Sequence, residues 1–273
     1  MKISITIGIL LSYSLLSTQA YAQGRVDGFY RGQHNATVVL GLGFEDGQEY
    51  FAGVSGDLDL TRSVFYSSLS GIYGITNTTD VSVSIPYIVS DDNANFQDIA
   101  IYLKQQIIVL DMPNASLQMS LAAGFSTNMT DYDLGGLNDI GQQATIYDFR
   151  GMIHYQTSQG WFATVQSGYS IKSSVTPDSM PFVIKIGKAM KDWYFDGYFD
   201  YQDSRGGIDY RGTPRPQDFR ALGVDYSKVG GTVYKPIAKE WGAYISLSYV
   251  LEGRNIFRGP GYGLGVVYNF SLQ

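Results

Sequence analysis

The chain of 273 residues contains no cysteine, so neither a disulfide scaffold nor a thiolate metal site can hold it together. Charge is scarce as well. Only 16% of the residues are Asp, Glu, Lys or Arg, against about 25% in an average soluble domain, too few to keep an ordinary surface in water. Beyond the first 22 residues no stretch approaches the roughly 20 continuous apolar residues of a helical membrane span, which excludes that class. Histidine occurs only at His34 and His154, and no phosphate-binding glycine loop, metal-ligand cluster or basic nucleic-acid patch is present. No catalytic residue, cofactor, metal or nucleic-acid partner is therefore expected. DYDLGGLND (131–139) has the look of a calcium loop but lacks its third acidic position and its terminal glutamate.

What is abundant points one way. The chain holds 32 Gly, 22 Tyr and 14 Phe, and its mean hydropathy is −0.07. Apolar residues spread in alternation, with few charges between them, are the signature of a transmembrane β-barrel. The N-terminus carries Lys2, an apolar run from Ile3 to Leu16 and the small-x-small pattern Ala20-Tyr21-Ala22. Residues 1–22 are expected to be a signal peptide removed after Ala22.

Alternation predicts twelve strands, over 35–44, 62–76, 80–89, 97–110, 116–128, 143–157, 160–172, 181–189, 192–204, 218–235, 241–252 and 260–270. In VSVSIPYIV, Val81, Val83, Ile85, Tyr87 and Val89 share one face while Ser82, Ser84 and Pro86 share the other. The last strand, GYGLGVVYNF, sets Tyr262, Leu264, Val266, Tyr268 and Phe270 against Gly261, Gly263 and Gly265. Long and short connections alternate without a break along the chain. Outer-membrane barrels have an even strand number with short periplasmic turns and longer outside loops. The expectation is thus an all-β, antiparallel, up-and-down transmembrane barrel of twelve strands over 35–270 with both termini periplasmic. A short periplasmic or lumenal segment, 23–34, precedes it and a tail, 271–273, follows. The sheet must close, because an open edge in hydrocarbon leaves unpaired backbone groups at several kcal/mol each. Twelve strands give an interior intermediate between a filled barrel and a wide pore.

Trp161, Trp193 and Trp241 each open a strand directly after a short turn, which places them at one height. With Tyr73, Tyr155 and Phe270 they are expected to form the periplasmic aromatic girdle. On the inward face, Ser68, Ser70, Ser82, Ser84, Ser120, Gly124, Ser246, Ser248, Gly263 and Gly265 make one smooth wall. Lys104, Asp148, Arg150, His154, Lys185, Asp196 and Asp200 make an opposite wall of mixed charge, and Tyr66, Tyr102, Tyr194, Tyr198 and Tyr244 also face in. Two readings stand. Either the charged, tyrosine-lined wall selects what passes, or its charges pair across neighbouring strands and fill the interior. His154 has no nucleophile among its strand neighbours Met152 and Gln156, which argues against a Ser-His type of enzyme.

YGITNTTDVSVSIPYIVS (73–90) and SYVLEGRNIFRGPGYGLGVVYNF (248–270) resemble the outer-membrane barrel family named for the meta-pathway of phenol degradation, whose members are described as transporters. GFYRGQHNATVVL (28–40) is similar to that family's start, and the whole is broadly similar to the uptake barrels of the FadL type. Those carry a substantial N-terminal hatch and an Asn-Pro-Ala motif; here only Gln23 to His34 precede the first strand, so a large hatch is not expected. The resemblance implies passage of small hydrophobic or aromatic molecules, and an aromatic near the C-terminus, here Phe270, that the barrel assembly machinery reads. The other partners expected are outer-membrane lipid, small-molecule solutes and lipopolysaccharide, whose phosphates suit Arg205, Arg211, Arg215, Arg254 and Arg258 in the outer loops. The alternative is a structural or adhesive barrel with a closed lumen and functional surface loops.

Overall fold

The computed structural model describes residues 26–53, 56–91, 93–213 and 215–272; the expected signal peptide lies outside the described residues. Sixteen strands follow in order: β1 (Asn35–Gly47), β2 (Glu49–Phe51), β3 (Asp57–Leu58), β4 (Arg62–Thr76), β5 (Thr79–Ser90), β6 (Asn93–Phe96), β7 (Asp98–Met112) and β8 (Ala115–Asn128). The second half comprises β9 (Ile146–Thr157), β10 (Trp161–Lys172), β11 (Ser179–Ala189), β12 (Tyr194–Ser204), β13 (Asp225–Pro236), β14 (Trp241–Arg254), β15 (Ile256–Arg258) and β16 (Pro260–Ser271). Twelve of these, all but β2, β3, β6 and β15, pair antiparallel with their sequence neighbours, and β16 returns to β1 with Leu40 opposite Val266 and Ala36 opposite Phe270. The barrel is closed, and no backbone edge of the wall faces outward.

Alternation is the cause of the two-faced wall. Along β1, Val38, Leu40, Leu42 and Phe44 are exposed on the outside while Thr37, Val39, Gly41 and Gly43 are buried within. The same outward set recurs around the barrel as a band that includes Leu69, Leu121, Ile186, Leu247 and Ile245, the last 63% exposed. So much exposed apolar surface is far beyond what a protein surrounded by water carries. Inside, tyrosine rings lie flat on glycines of adjacent strands. A Cβ on Gly43 would come within 2.1 Å of the Tyr66 ring, and one on Gly265 within 2.4 Å of the Tyr244 ring. The empty face of the last strand is the seat for side chains from its neighbours.

The strands fall close to their predicted limits, with one correction. The strand expected over 218–235 begins only at Asp225; Phe219–Ala221 form a 3-10 turn capped by the Asp218 carboxylate, which accepts from the Arg220 N–H. Between β5 and β7 the ladder is interrupted at Pro86, which has no N–H to give. Ser84 pairs with Ala100, but Tyr87 pairs with Phe96, so one extra residue bulges from the wall. The Gln97 N–H closes the gap onto the Pro86 carbonyl at 3.0 Å. At one end the strands are joined by tight turns; at the other by the longer segments 48–61, 91–97, 129–145, 173–178, 205–224 and 255–259. At this loop end β2 pairs with both β3 and β15 in a small sheet.

Candidate channel lumen

The segment 26–34 enters the barrel from the turn end and fills that half of the lumen. It turns inward where His34 N–H donates to the Gly74 carbonyl at 2.9 Å, and it crosses the wall so closely that a Cβ on Gly74 would lie 1.9 Å from the Gly32 carbonyl oxygen. Gly28 sits flat against the His154 ring, 2.2 Å from where a Cβ would be. Phe29 packs edge-on to His154 and Phe162, at 4.5 and 5.1 Å between ring centres. It shares a buried cluster with Val39, Tyr194, Tyr234, Tyr244 and Val267. Val26 joins a second cluster with Ala100, Tyr102, Ala122 and Met152.

Charge locks this segment in place. Lys104 reaches both Asp27 (3.1 Å) and Asp80 (3.4 Å), and Arg31 pairs with Asp27 at 2.8 Å while its N–H donates to Asp80. Tyr30 donates to Ser120 at 2.8 Å, Gln166 donates to the Val26 carbonyl at 3.2 Å, and Lys104 stands 4.1 Å above the Tyr30 ring. A cavity between the segment and Thr164, Gln166, Lys185 and Tyr194 of the wall holds about 10 Å³, at the lower limit of what one water requires. The two cations and two carboxylates compensate one another, as groups withdrawn from water must.

The loop-end half is open and divided in two. An inner cavity of about 530 Å³ lies in mid-barrel, walled on one side by Ser68, Ser70, Ser82 and Ser84 and on the other by Asp148, Arg150, Lys172 and Asp200. An outer cavity of about 410 Å³ lies under the loops, with Tyr50, Phe219, Leu222, Ile256 and Phe257 beside Arg62, Lys228 and Asp139. The loop 129–145 runs inward between them. Tyr132 ties it to the wall by donating to Asp98 at 3.1 Å, and Gln143 is held left-handed, with φ of 48°, as its N–H donates to the Tyr132 hydroxyl oxygen. Backbone conformations of this kind are sparsely populated by non-glycine residues and collect at functional positions. Asp139 accepts from the N–H groups of Gly135 and Gly136, and burial pushes its carboxyl above the ordinary carboxylate range.

Among the residues singled out from sequence, the structure groups some and separates others. Lys104 belongs to the plug network. Asp148 accepts from Tyr102 (2.7 Å) and pairs with Arg150 (2.9 Å). Asp196 accepts from Tyr194 (2.6 Å) and faces Lys185 at 3.6 Å. His154 shares a hydrogen bond of 2.7 Å with Thr164 of the adjacent strand, both buried beside the plug. Asp200 stands opposite Lys228 in the ladder. Tyr102 borders the inner cavity, whereas Tyr194 is buried in the cluster around Phe29 and Tyr198 is buried over Gly230. Tyr155, Trp161, Trp193 and Trp241 are exposed on the outside at the turn end. Tyr73 there meets His34 at 3.1 Å, and Phe270 stacks on Tyr268, which packs on Trp241. Residues the sequence reasoning passed over include Asp27, Phe29, Arg31, Asp80, Gln97 and Gln142. The signal for the plug was present in DGFYR: two aromatics and an opposite-charge pair four apart, in a segment too short to bury them by itself.

A closed twelve-strand barrel with a polar, partly obstructed lumen invites comparison with known channels. The sequence profile of the family described as MetA-pathway of phenol degradation matches residues 19–227. The chain belongs to this family. Among solved structures the family member resembles an outer membrane channel from Pseudomonas putida F1, with a TM-score of 0.68 at 13% identity, covering 92% of this chain and 100% of that one. It also resembles the NanC porin, with a TM-score of 0.54 at 11% identity over 85% and 98% of the two chains. The KdgM porin gives a TM-score of 0.51 at 9% identity over 86% and 99%. At these identities the likeness is one of fold, that of an outer-membrane barrel. No curated protein matches the chain.

Proposed function

We propose that this family member is an outer-membrane channel for small hydrophobic or aromatic molecules, with the turn end and both termini in the periplasm, and that it has no catalytic role. The observation that carries the reading is the pair of cavities in the loop-end half of a closed barrel. Their volumes lie within the roughly 300–1,000 Å³ of small-molecule sites. The outer one joins aromatic walls to a few polar groups, the arrangement that holds a ring with a polar substituent. The family's tie to phenol degradation favours the same class of solute. Full passage requires the segment 26–34 to move, since it fills the turn-end half. The outward aromatics at that end, with Lys188 over Trp161 at 5.1 Å and Lys235 over Trp193 at 4.6 Å, suit the boundary between hydrocarbon and headgroups.

The second reading, a structural barrel with a permanently closed lumen, draws on the tight seal around Phe29. Uptake of a series of aromatic and aliphatic solutes, compared between deletion and wild-type cells, separates the two. Slower uptake of aromatic compounds in the deletion strain is expected; equal uptake of the whole series would leave the structural reading standing.

A further inference from the structure

We infer that Gln142, with Gln97, forms the selectivity neck of the solute path: an uncharged, amide-lined constriction between the outer and inner cavities. This inference deepens the channel reading and rests on it. The two cavities share four lining residues, Gln97, Gly141, Gln142 and Val224. None of the four carries charge, although charged groups stand on both sides of them. Arg62, Lys228 and Asp139 border the outer cavity, and Arg150, Lys172 and Asp200 the inner one.

The four residues come from separate parts of the chain and meet through the amides. Gln97 sits at the bulge opposite Pro86, and its Nε2 donates to the Ile140 carbonyl at 2.6 Å. Gln142 lies on the inward loop 129–145 and reaches across to the segment before β13. Its Nε2 donates to the carbonyls of Arg220 and Leu222, at 3.2 and 3.1 Å. Val224 continues that segment. Gly141 is confined in turn, since a Cβ there would lie 2.4 Å from the Tyr132 hydroxyl and 2.8 Å from Gln97 Nε2. The neck is thus closed by side-chain amides that can exchange carbonyl partners for a solute. A molecule with a hydroxyl or carbonyl substituent repays the latch bonds that it displaces, and an ion finds no counter-charge there. The neck admits uncharged solutes bearing one polar group and retards ions.

The absence of native cysteine makes the test direct. Ser82→Cys places one thiol on the inner cavity. Its labelling by a membrane-impermeant uncharged maleimide, added from the loop side to reconstituted barrels, reads passage through the neck. Gln142→Met removes both latch bonds at similar volume. It should speed labelling by about fivefold to tenfold, the population shift expected from the loss of one or two hydrogen bonds. Gln97→Met should act in the same direction. Gln142→Glu should slow an anionic methanethiosulfonate relative to the neutral maleimide, an effect that a purely structural role would not produce. Heat-modifiable gel mobility confirms that each variant is a folded barrel. Labelling at equal rates in all variants would overturn the inference, as would a rate that responds to Lys104→Met in the plug and not to Gln142→Met. Equal solute uptake by deletion and wild-type cells, with labelling still governed by Gln142, would instead sink the channel reading and leave the neck intact.

Discussion

The two halves of the lumen contain similar residues used in opposite ways. At the turn end Lys104, Arg31, Asp27 and Asp80 converge on one another, and aromatic side chains from four strands, with the His154 ring of a fifth, close around Phe29. Toward the loop end charges face cavities, stand opposite one another in the ladder, or serve as staples for loops. Arg254, for example, ties β14 to Asp209 and to the carbonyls of Gly206 and Gly207. The difference comes from what occupies the space between the walls. A chain segment with its own charges and rings fills the turn half, whereas loops reach only part-way into the other half and leave two cavities there. A barrel of this width is therefore neither a pore nor a filled core; its permeability is set by what is threaded into it.

The sharpest way to break this comparison is Lys104→Met. Asp27 and Asp80 would be left facing each other without their shared cation. Removing one partner of a buried ionic cluster costs about 3–5 kcal/mol, charged here to the docked segment and not to the hydrogen-bonded wall. The expected outcome is a barrel with normal heat-modifiable mobility and a large rise in single-channel conductance in planar bilayers. Unchanged conductance would mean that the segment is held by its aromatic packing alone. In the loop half the corresponding change, Arg254→Met, has less to act on. Arg254 is itself partly exposed although Asp209 is buried, and the loss of hydrogen bonds from a charged donor is worth about 1.5–3 kcal/mol. Faster proteolysis of the loop 205–224 in the folded barrel is expected, with conductance little altered. A Lys104-sized effect on conductance would show that the loops, and not the segment, close the lumen.

The wall of the barrel was legible in the sequence, and the contents of the lumen were not. Strand limits followed from period-two alternation because lipid outside and water or packed side chains inside enforce it at every residue. β4 was expected over 62–76 and is found there. The twelve-strand closure followed from loop parity. The failure at 218–224 has a local cause: Phe219, Ala221 and Val224 carry an apolar pattern, but Asp218 caps a 3-10 turn and the segment spends its apolar residues on the outer cavity and the neck. The segment before β1 was expected as either periplasmic or lumenal, and its contacts escaped because nothing periodic marks nine residues whose partners lie as much as 140 positions away, as Val26 and Gln166 do. Gln97 and Gln142 escaped for a related reason. An amide has no charge or period to announce it, and a bulge set by Pro86 is visible only once its partner strand is known.

The smallest expected effect concerns pH and separates the halves once more. Asp139 belongs to the loop 129–145, where burial is the leading cause that raises its carboxyl pKa from 3.8, opposed by the two glycine N–H groups and by Arg62. A raised carboxylate binds its proton more tightly with the loop docked than with the loop free. Docking is thus favoured below the ordinary pKa of 3.8, and that contribution is lost as pH rises through the raised value. Acidification from neutral pH should therefore draw the loop inward and slow the labelling of Ser82→Cys from the loop side. Asp139→Asn should remove that dependence while keeping an acceptor oxygen for one of the two glycine N–H groups. Half-exposure and salt screening keep the effect small. If labelling instead quickened on acidification, and did so equally in the Asp139→Asn variant, the titrating groups would be those of the plug, and the turn half would be the pH-responsive one.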